Sequence, residues 1–354
     1  MKQRFYVFSD TLIKRKQNTL FFETVIREDS EDTDFIKEEY FLSKSDFIPS
    51  GDKKYIPVEN IDSIFAIGSV NFSSRLMYFL SQHHIPLHII SYRGNYAGSF
   101  LPSEKPVSGS LLLKQAEYCT NSIKRMFMAK QFIAASAHNI LANLNYHLRR
   151  GANLNEFIEN ITELKNEIDN CESINELMGV EGMIRKIYYG AWKFIFKHPV
   201  SFYKRIKNPP TDMINSLISY GNMIVYGVCL NEIFHTRLSP EIGFVHEPAD
   251  AKLSLIYDIA DIFKPLITDR VVFKVINKEM ISEKDFVTRN GFCRIKTAAK
   301  KIFAKEFENK LNTKISLPGF GKKVSYKSVI RQECYNLISH LKNEKNYEPY
   351  KTKW

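Results

Sequence analysis

Apolar residues recur with a helical period from residue 110 onward, and before residue 101 they mostly do not. In the first hundred residues they alternate or run in short blocks: Arg4 to Phe8, Leu20 to Val25, the β-branched stretch Ile61 to Ile67, and Pro86 to Tyr92. Turn residues separate these blocks, and Gly94-Asn95 is a hairpin signal ahead of Tyr96 to Leu101. Phe72 to Ser81 reads as one helix within this region. The pattern predicts a small β-rich domain over residues 1–101. Pro102 to Gly109 (PSEKPVSG) breaks it and reads as a linker. Residues 110–354 read as a larger all-α domain. Its expected helices are one or two over Leu111 to Arg150, then Asn153 to Asp169, Asn175 to Phe196, Asp212 to Phe234 and Leu253 to Phe263. Lys274 onward reads as helical and basic, and the last residues to Trp354 as a tail. The expected fold class is therefore α+β, a small β-rich N-terminal domain followed by a larger all-α domain.

Polar residues break the helical pattern at three places. Glu181 falls inside the stripe made by Leu177, Val180, Ile184, Tyr188, Ala191 and Ile195, with Gly182 leaving room beside it. A glutamate on an apolar face needs a partner, and an i,i+4 ion pair to Arg185 is the plain reading. Asn215, Ser219, Asn222 and Tyr226 form a polar stripe on an otherwise apolar helix, suited either to a polar cleft or to a hydrogen-bond seam between helices. In the stretch Glu241 to Pro265, a loop delivers His246 and a helix follows. At about 100° per residue, Ser254, Asp258 and Asp261 share its one polar stripe. Two carboxylates on a buried helix repel unless a proton or cation intervenes. A divalent metal held with His246 is one solution; hydrogen bonds to backbone or pairing with arginines is the other. One histidine among carboxylates suits Mg²⁺ or Mn²⁺ better than structural zinc.

Charge sharpens this picture. The 354 residues carry a formal net charge of +11, unevenly placed. Residues 27–39 are acidic, whereas residues 294–331 hold eleven Lys or Arg against only Glu306 and Glu308. Lys204, Arg205 and Lys207 stand beside Phe202 and Tyr203 in a basic, aromatic loop. Such asymmetry suits a polyanion, and a metal among carboxylates in a basic protein suggests phosphodiester chemistry. Gly319 to Lys323 lacks the spacing of a phosphate-binding P-loop. The five cysteines are scattered without a CxxC pair, and His83, His84 and His88 have no acidic partner at ligand spacing, so all read as structural. The opening residues lack a signal-peptide core and no run of about 18 apolar residues occurs, so a cytoplasmic protein without membrane spans is expected. Two other classes fit parts of the pattern. A basic DNA-binding scaffold without enzymatic activity would leave the carboxylates structural. An Mg²⁺-dependent prenyl-diphosphate enzyme would use the DIAD run, but it usually wants a second Asp-rich helix.

The chain resembles the CRISPR-associated integrase family that inserts new spacers, the larger subunit of the adaptation complex. The resemblance rests on VEGMIRKIYYGAW around Glu181, RIKNPPTDMINSLISYGNMIVYG from Arg205, GFVHEPADAKLSLIYDIADIFKP from Gly243 and YKSVIRQECYNLISHL from Tyr326. The opening FYVFSDTLIKRKQNTLFF is similar to the family's first hairpins. It implies metal ligation by Glu181, His246 and Asp261, with Asp258 in a supporting catalytic role. Asp261 and Lys204 stand where many relatives carry Glu and Arg. The resemblance further implies a metal-dependent endonuclease and integrase, in which the 3′-hydroxyl of a captured DNA fragment attacks a phosphodiester at the edge of a CRISPR repeat. Expected partners are double-stranded DNA, a second copy through the β-rich domain, and a small ferredoxin-like subunit. Arg185 and Tyr226 are expected beside the site, and Arg185, Lys204, Arg205, Tyr226, Lys252 and the 294–331 region are candidates for DNA contact.

Overall fold

The computed structural model describes residues 2–26, 48–90, 96–102, 108–207, 209–248, 253–317, 321 and 323–353. The acidic run, the Gly94-Asn95 turn, most of the linker, Lys252 and much of the 319–323 loop lie outside them. The chain divides into two compact units, Met1–Lys105 and Pro106–Trp354.

The first unit is built from two four-stranded sheets. One runs β1 (Gln3–Val7), β5 (Ile61–Ala66), β7 (Leu87–Ile90), β8 (Tyr96–Phe100); β1, β5 and β7 are parallel and β8 returns antiparallel. The other runs β4 (Ile48–Pro57), β3 (Thr19–Ile26), β2 (Thr11–Lys16), β6 (Val70–Asn71), with β2 to β4 an antiparallel meander. Helix α1 (Ser74–Gln82) is capped by the Ser73 hydroxyl, and its Leu76, Phe79 and Leu80 enter the core with Ile13, Leu20, Ile64 and Leu87. Gly68 permits a close chain approach, since a Cβ there would lie 2.6 Å from the Ser9 carbonyl oxygen. His88 is buried against Phe65 and bonded to the Ser99 hydroxyl at 2.5 Å, a structural histidine as expected.

The second unit is mainly helical. Its helices are α2 (Gly109–Thr120), α3 (Ser122–Leu148), α4 (Asn155–Glu167), α5 (Ile174–Ala191), α6 (Met213–Thr236), α7 (Ser254–Phe263), α8 (Thr268–Asn277), α9 (Thr297–Leu311) and α10 (Tyr326–Leu341). Helix α6 is apolar on nearly every face, and each fully buried Leu, Ile or Val adds about 1.5–3 kcal/mol. It is long and apolar enough to cross a membrane, but 83% of its most apolar window is buried inside this unit, as a core helix should be. Gly221 lets α8 approach, because a Cβ there would meet the Thr268 methyl at 2.5 Å.

Two expectations need correction. The region after Lys274 is not wholly helical. Strands β9 (Phe286–Arg289) and β10 (Phe292–Ile295) form a hairpin around Asn290-Gly291, both at positive φ, and β11 (Lys314–Ile315) pairs with β12 (Val324–Ser325). The Asn-Gly pair is the turn that such a hairpin requires. Nor are the last residues a tail. Tyr347 is buried and donates to Glu333 Oε1 at 2.6 Å, the Tyr350 amide donates to Glu333 Oε2 at 2.8 Å, and the Thr352 amide donates to Asn139 at 2.9 Å. Burial drives the Glu333 carboxyl up to about 7, against those two bonds.

Candidate active site

The site begins with a loop held at its tip by Asp258. Asp258 is buried on α7 and accepts the backbone amides of Phe244 (2.6 Å) and Val245 (3.1 Å) on Oδ2 and of His246 (3.1 Å) on Oδ1. Its Oδ1 also lies 2.8 Å from His246 Nδ1. One carboxylate therefore satisfies three amides and fixes the imidazole, with Nδ1–H donating and Nε2 left as the outward acceptor. Gly243 is required for this packing: a Cβ there would fall 2.8 Å from Asp258 Oδ2. Ser254, on the same stripe, accepts the Gly243 amide and donates to the Glu241 carbonyl. The other side of the loop is held from afar. Buried Gln115 donates to the Ser239 and Ile242 carbonyls, and Arg125 Nε donates to the Phe244 carbonyl at 3.0 Å.

One turn beyond Asp258 stands Asp261, with a different environment. Lys264 pairs with its Oδ1, and Arg185 lies 3.1 Å from the same oxygen. Arg185 also pairs with Glu181, so the expected i,i+4 bridge is present and extends into a chain Glu181–Arg185–Asp261–Lys264. Burial opposes the charge on Asp261, but Arg185, Lys264 and His246 outweigh it and hold the carboxyl far below the usual range. Burial likewise opposes a charged Lys264, and Asp261 reverses the sign and raises it. His246 follows the same logic: burial lowers it, and the Asp258 bond with the charges of Asp258 and Asp261 raises it. Glu181, Arg185, His246, Asp258 and Asp261 line one cavity, with Ser136 and Met178. Ser136 and Asn139 of α3 fix the end of α7 by donating to the Asp261 and Ile262 carbonyls, both at 2.9 Å.

The flanking candidates divide. Tyr226 is at the site: Lys264 Nζ sits 4.7 Å from its ring centre, and Tyr257 meets it edge-on at 4.9 Å while also facing the His246 ring. Lys204 and Tyr203 are exposed, Tyr203 by 91%. Arg205 is not available as an outward cation. Its guanidinium turns inward to the Ile206 carbonyl, Asn215 Oδ1 (3.0 Å) and Ser219 Oγ (2.8 Å). The first half of the polar stripe on α6 is thus a clamp on the Lys204–Ile206 loop, neither cleft nor interhelical seam. Lys264 was missed by sequence reasoning, although its i,i+3 spacing to Asp261 was the available signal. Lys207 is pushed down by burial and by Lys264, Arg185 and Arg205, which shows cations converging beside the cavity.

The donor chemistry, one imidazole nitrogen and two carboxylates, fits a hard divalent cation. Among the described residues, no three His, Cys, Asp or Glu side chains are grouped closely enough to cage an ion. In this structure Arg185 and Lys264 balance the carboxylate charge instead.

A strand-rich unit followed by a helical unit is a fold shared with solved structures. A CAS1 protein from Thermotoga maritima is 33% identical with a TM-score of 0.80 over 98% of each chain. A casposase bound to an integration product superposes with a TM-score of 0.83 at 23% identity, over 100% of this chain and 95% of that one. A chain from a Cas6-RT-Cas1–Cas2 complex does so with a TM-score of 0.78 at 18% identity, over 100% of this chain and 36% of that one. The fold class is thus that of CRISPR-associated and casposase proteins. Residues 5–309 match the family of the CRISPR associated protein Cas1. The CRISPR-associated endonuclease Cas1 of Fusobacterium nucleatum is 39% identical over 100% of this chain and 98% of its own length. The chain belongs to the Cas1 family.

Proposed function

We propose that this protein is a metal-dependent DNA endonuclease and integrase that inserts DNA fragments as new spacers into a CRISPR array. The observation that carries the reading is the single cavity in which an oriented imidazole faces two carboxylates interleaved with Arg185 and Lys264. Relatives named as endonucleases, and a casposase of the same fold bound to an integration product, support it.

Glu181, His246 and Asp261 would hold a Mg²⁺ or Mn²⁺ ion. Such an ion, when bound, supplies a Lewis acid for the attacking and leaving oxygens of a phosphodiester. The chain's own groups prepare the site. Asp258 engages the imidazole at Nδ1 and so leaves Nε2 as the nitrogen for an ion, a positioning role. Arg185, Lys264 and His246 hold the Asp261 carboxyl below the usual carboxylate range, against its burial, which favours the charged form that an ion needs. Arg185 and Lys264 supply positive charge beside it, suited to the phosphate on which charge develops. Tyr226 packs under the Lys264 ammonium and keeps it at the cavity. The attacking group is the 3′-hydroxyl of a DNA end in integration and water in cleavage. Exposed Lys204 and the basic C-terminal region would hold the duplex. The protein acts in the cytoplasm as a homodimer through its strand-rich unit, with a small ferredoxin-like subunit; the structural neighbour from a Cas1–Cas2 assembly supports such a partner.

The test is joining of a labelled short duplex to supercoiled plasmid, and nicking of that plasmid, with Mg²⁺, Mn²⁺ or EDTA. Both activities should need the metal and vanish in Glu181→Gln, His246→Ala and Asp261→Asn. Activity that survives EDTA and all three substitutions would overturn the reading.

A further inference from the structure

A second cluster of cations lies outside that cavity, where α3, α8, α9 and α10 meet. Tyr146, near the end of α3, carries two guanidinium groups on its ring, Arg150 and Arg270, each 4.5 Å from the ring centre. Arg270 Nε is fixed to Asn143 Oδ1 at 3.0 Å. Lys310, at the end of α9, places its ammonium 4.7 Å from the ring of buried Tyr326. Lys274, one turn after Arg270, is exposed and pairs with Glu306. Among the described residues no ion pair joins a carboxylate to Arg150 or Lys310.

We infer that Arg150, Arg270, Lys274 and Lys310 form a second phosphate-binding site, which grips the backbone of duplex DNA away from the reacting phosphodiester. Three features point there. The floor is rigid and aromatic, built on Tyr146 and Tyr326, which holds cations at fixed positions without neutralising them. The rim is open, since Arg149, Arg150 and Lys274 are exposed. Finally, the cations crowd one another: Lys310 is pushed down to about 7 by burial and by Arg270 and Lys274. His147 beside it is pushed down to about 4 by burial, Arg270 and Arg150. The groups facing Lys310 are Arg270 and Lys274 from α8, Tyr326 from α10, and Glu306 one turn back on α9, already engaged by Lys274. A row of phosphates matches cations carried by the end of α3 and by α8 and α9, of which Arg150 and Lys310 meet no carboxylate among the described residues. The inference rests on the DNA-acting reading above, because it takes duplex DNA as the source of the phosphates.

The test is binding of a labelled duplex of about 30 base pairs to the full chain in EDTA, so that strand chemistry plays no part. Wild type, Lys310→Gln, Arg150→Gln and the double variant are compared from about 50 to 250 mM salt. The double variant should bind at least about tenfold more weakly, with a slope of log K against log salt shallower by about 2. Wild type should take up protons on binding near pH 7.5, seen by calorimetry in buffers of different ionisation heat, and Lys310→Gln should not. Circular dichroism and thermal melts check that the variants are folded. A folded double variant with unchanged affinity and slope overturns the proposal. So does selective competition by inorganic phosphate over chloride at matched ionic strength, which would mark a site for a small phosphate ligand. Neither outcome touches the metal-site reading, which fails only in the joining and nicking assay.

Discussion

Burial lowers both Lys264 and Lys310, yet they end with opposite shifts. Lys264 has Asp261 beside it and is raised; Lys310 has Arg270 and Lys274 beside it and is lowered to about 7. The first region is a closed network in which each buried charge meets its opposite. The second is an open one in which cations repel across an aromatic floor. The contrast teaches that burial alone does not mark a binding group. What matters is whether the molecule supplies the counter-charge itself or leaves it to a ligand.

The largest effect comes from breaking the closed network. Asp261→Asn leaves Lys264 and Arg185 facing each other without their carboxylate, turning the cavity into something like the second cluster. DNA nicking should fall at least about a thousandfold, about 4 kcal/mol, and the Lys264 resonance in labelled protein should titrate lower than in wild type. A rate within tenfold of wild type would contradict this. Next comes Asp269, buried at the start of α8 and bonded to Tyr188 at 2.9 Å. Burial raises it to about 7, although Tyr188, Arg185, Lys264 and Arg205 pull the other way. In the unfolded chain the same carboxyl ionises near pH 4. Between about pH 4 and 7 the folded state binds the extra proton, so stability falls as pH rises through that window, by a few kcal/mol at most. Asp269→Asn should flatten that part of a chemical-denaturation pH series; an unchanged slope would show that Asp269 is ionised in the fold.

A smaller effect sharpens the comparison. Asp258 has its charge met by amides and an imidazole, so Asp258→Asn keeps the shape but removes the charge. It should cost about 10–100-fold in nicking and lower the His246 pKa, read by NMR. Loss of rate without a His246 shift would place Asp258 in the chemistry instead of in positioning. The smallest concerns the loop itself. Gly243→Ala forces a Cβ to 2.8 Å from Asp258 Oδ2 and should destabilise the helical unit by about 1–3 kcal/mol, measured by thermal melts. A melt at the wild-type temperature would mean that the loop yields freely.

Much of this was legible in the sequence because it is local. The helical period placed Ser254, Asp258 and Asp261 on one stripe, put Glu181 among apolar neighbours, and set Arg185 one turn away. The hydrophobic blocks before residue 101 were enough to mark the strand-rich unit. The parts that were not legible are held over long separations. Gln115 and Arg125 reach the histidine loop across more than a hundred residues. Arg185 reaches Asp261 on another helix. Tyr347, Tyr350 and Thr352 dock in a segment without regular secondary structure, and nothing local distinguishes that from a tail. Arg205 reads as a phosphate contact beside Lys204 and Lys207, and only the fold shows that Asn215 and Ser219 claim it first. The two aspartates on α7 look alike in sequence; their surroundings, amides for one and cations for the other, give them different work.

The most direct measurement of the central claim is a Mn²⁺ titration followed by electron paramagnetic resonance. It should be run on wild type, His246→Ala, Asp261→Asn and Lys310→Gln. About one tightly held ion per chain is expected in wild type and in Lys310→Gln, and loss of that ion in the other two. Tight Mn²⁺ binding that persists in both His246→Ala and Asp261→Asn would contradict the assignment of the cavity as the metal-dependent centre.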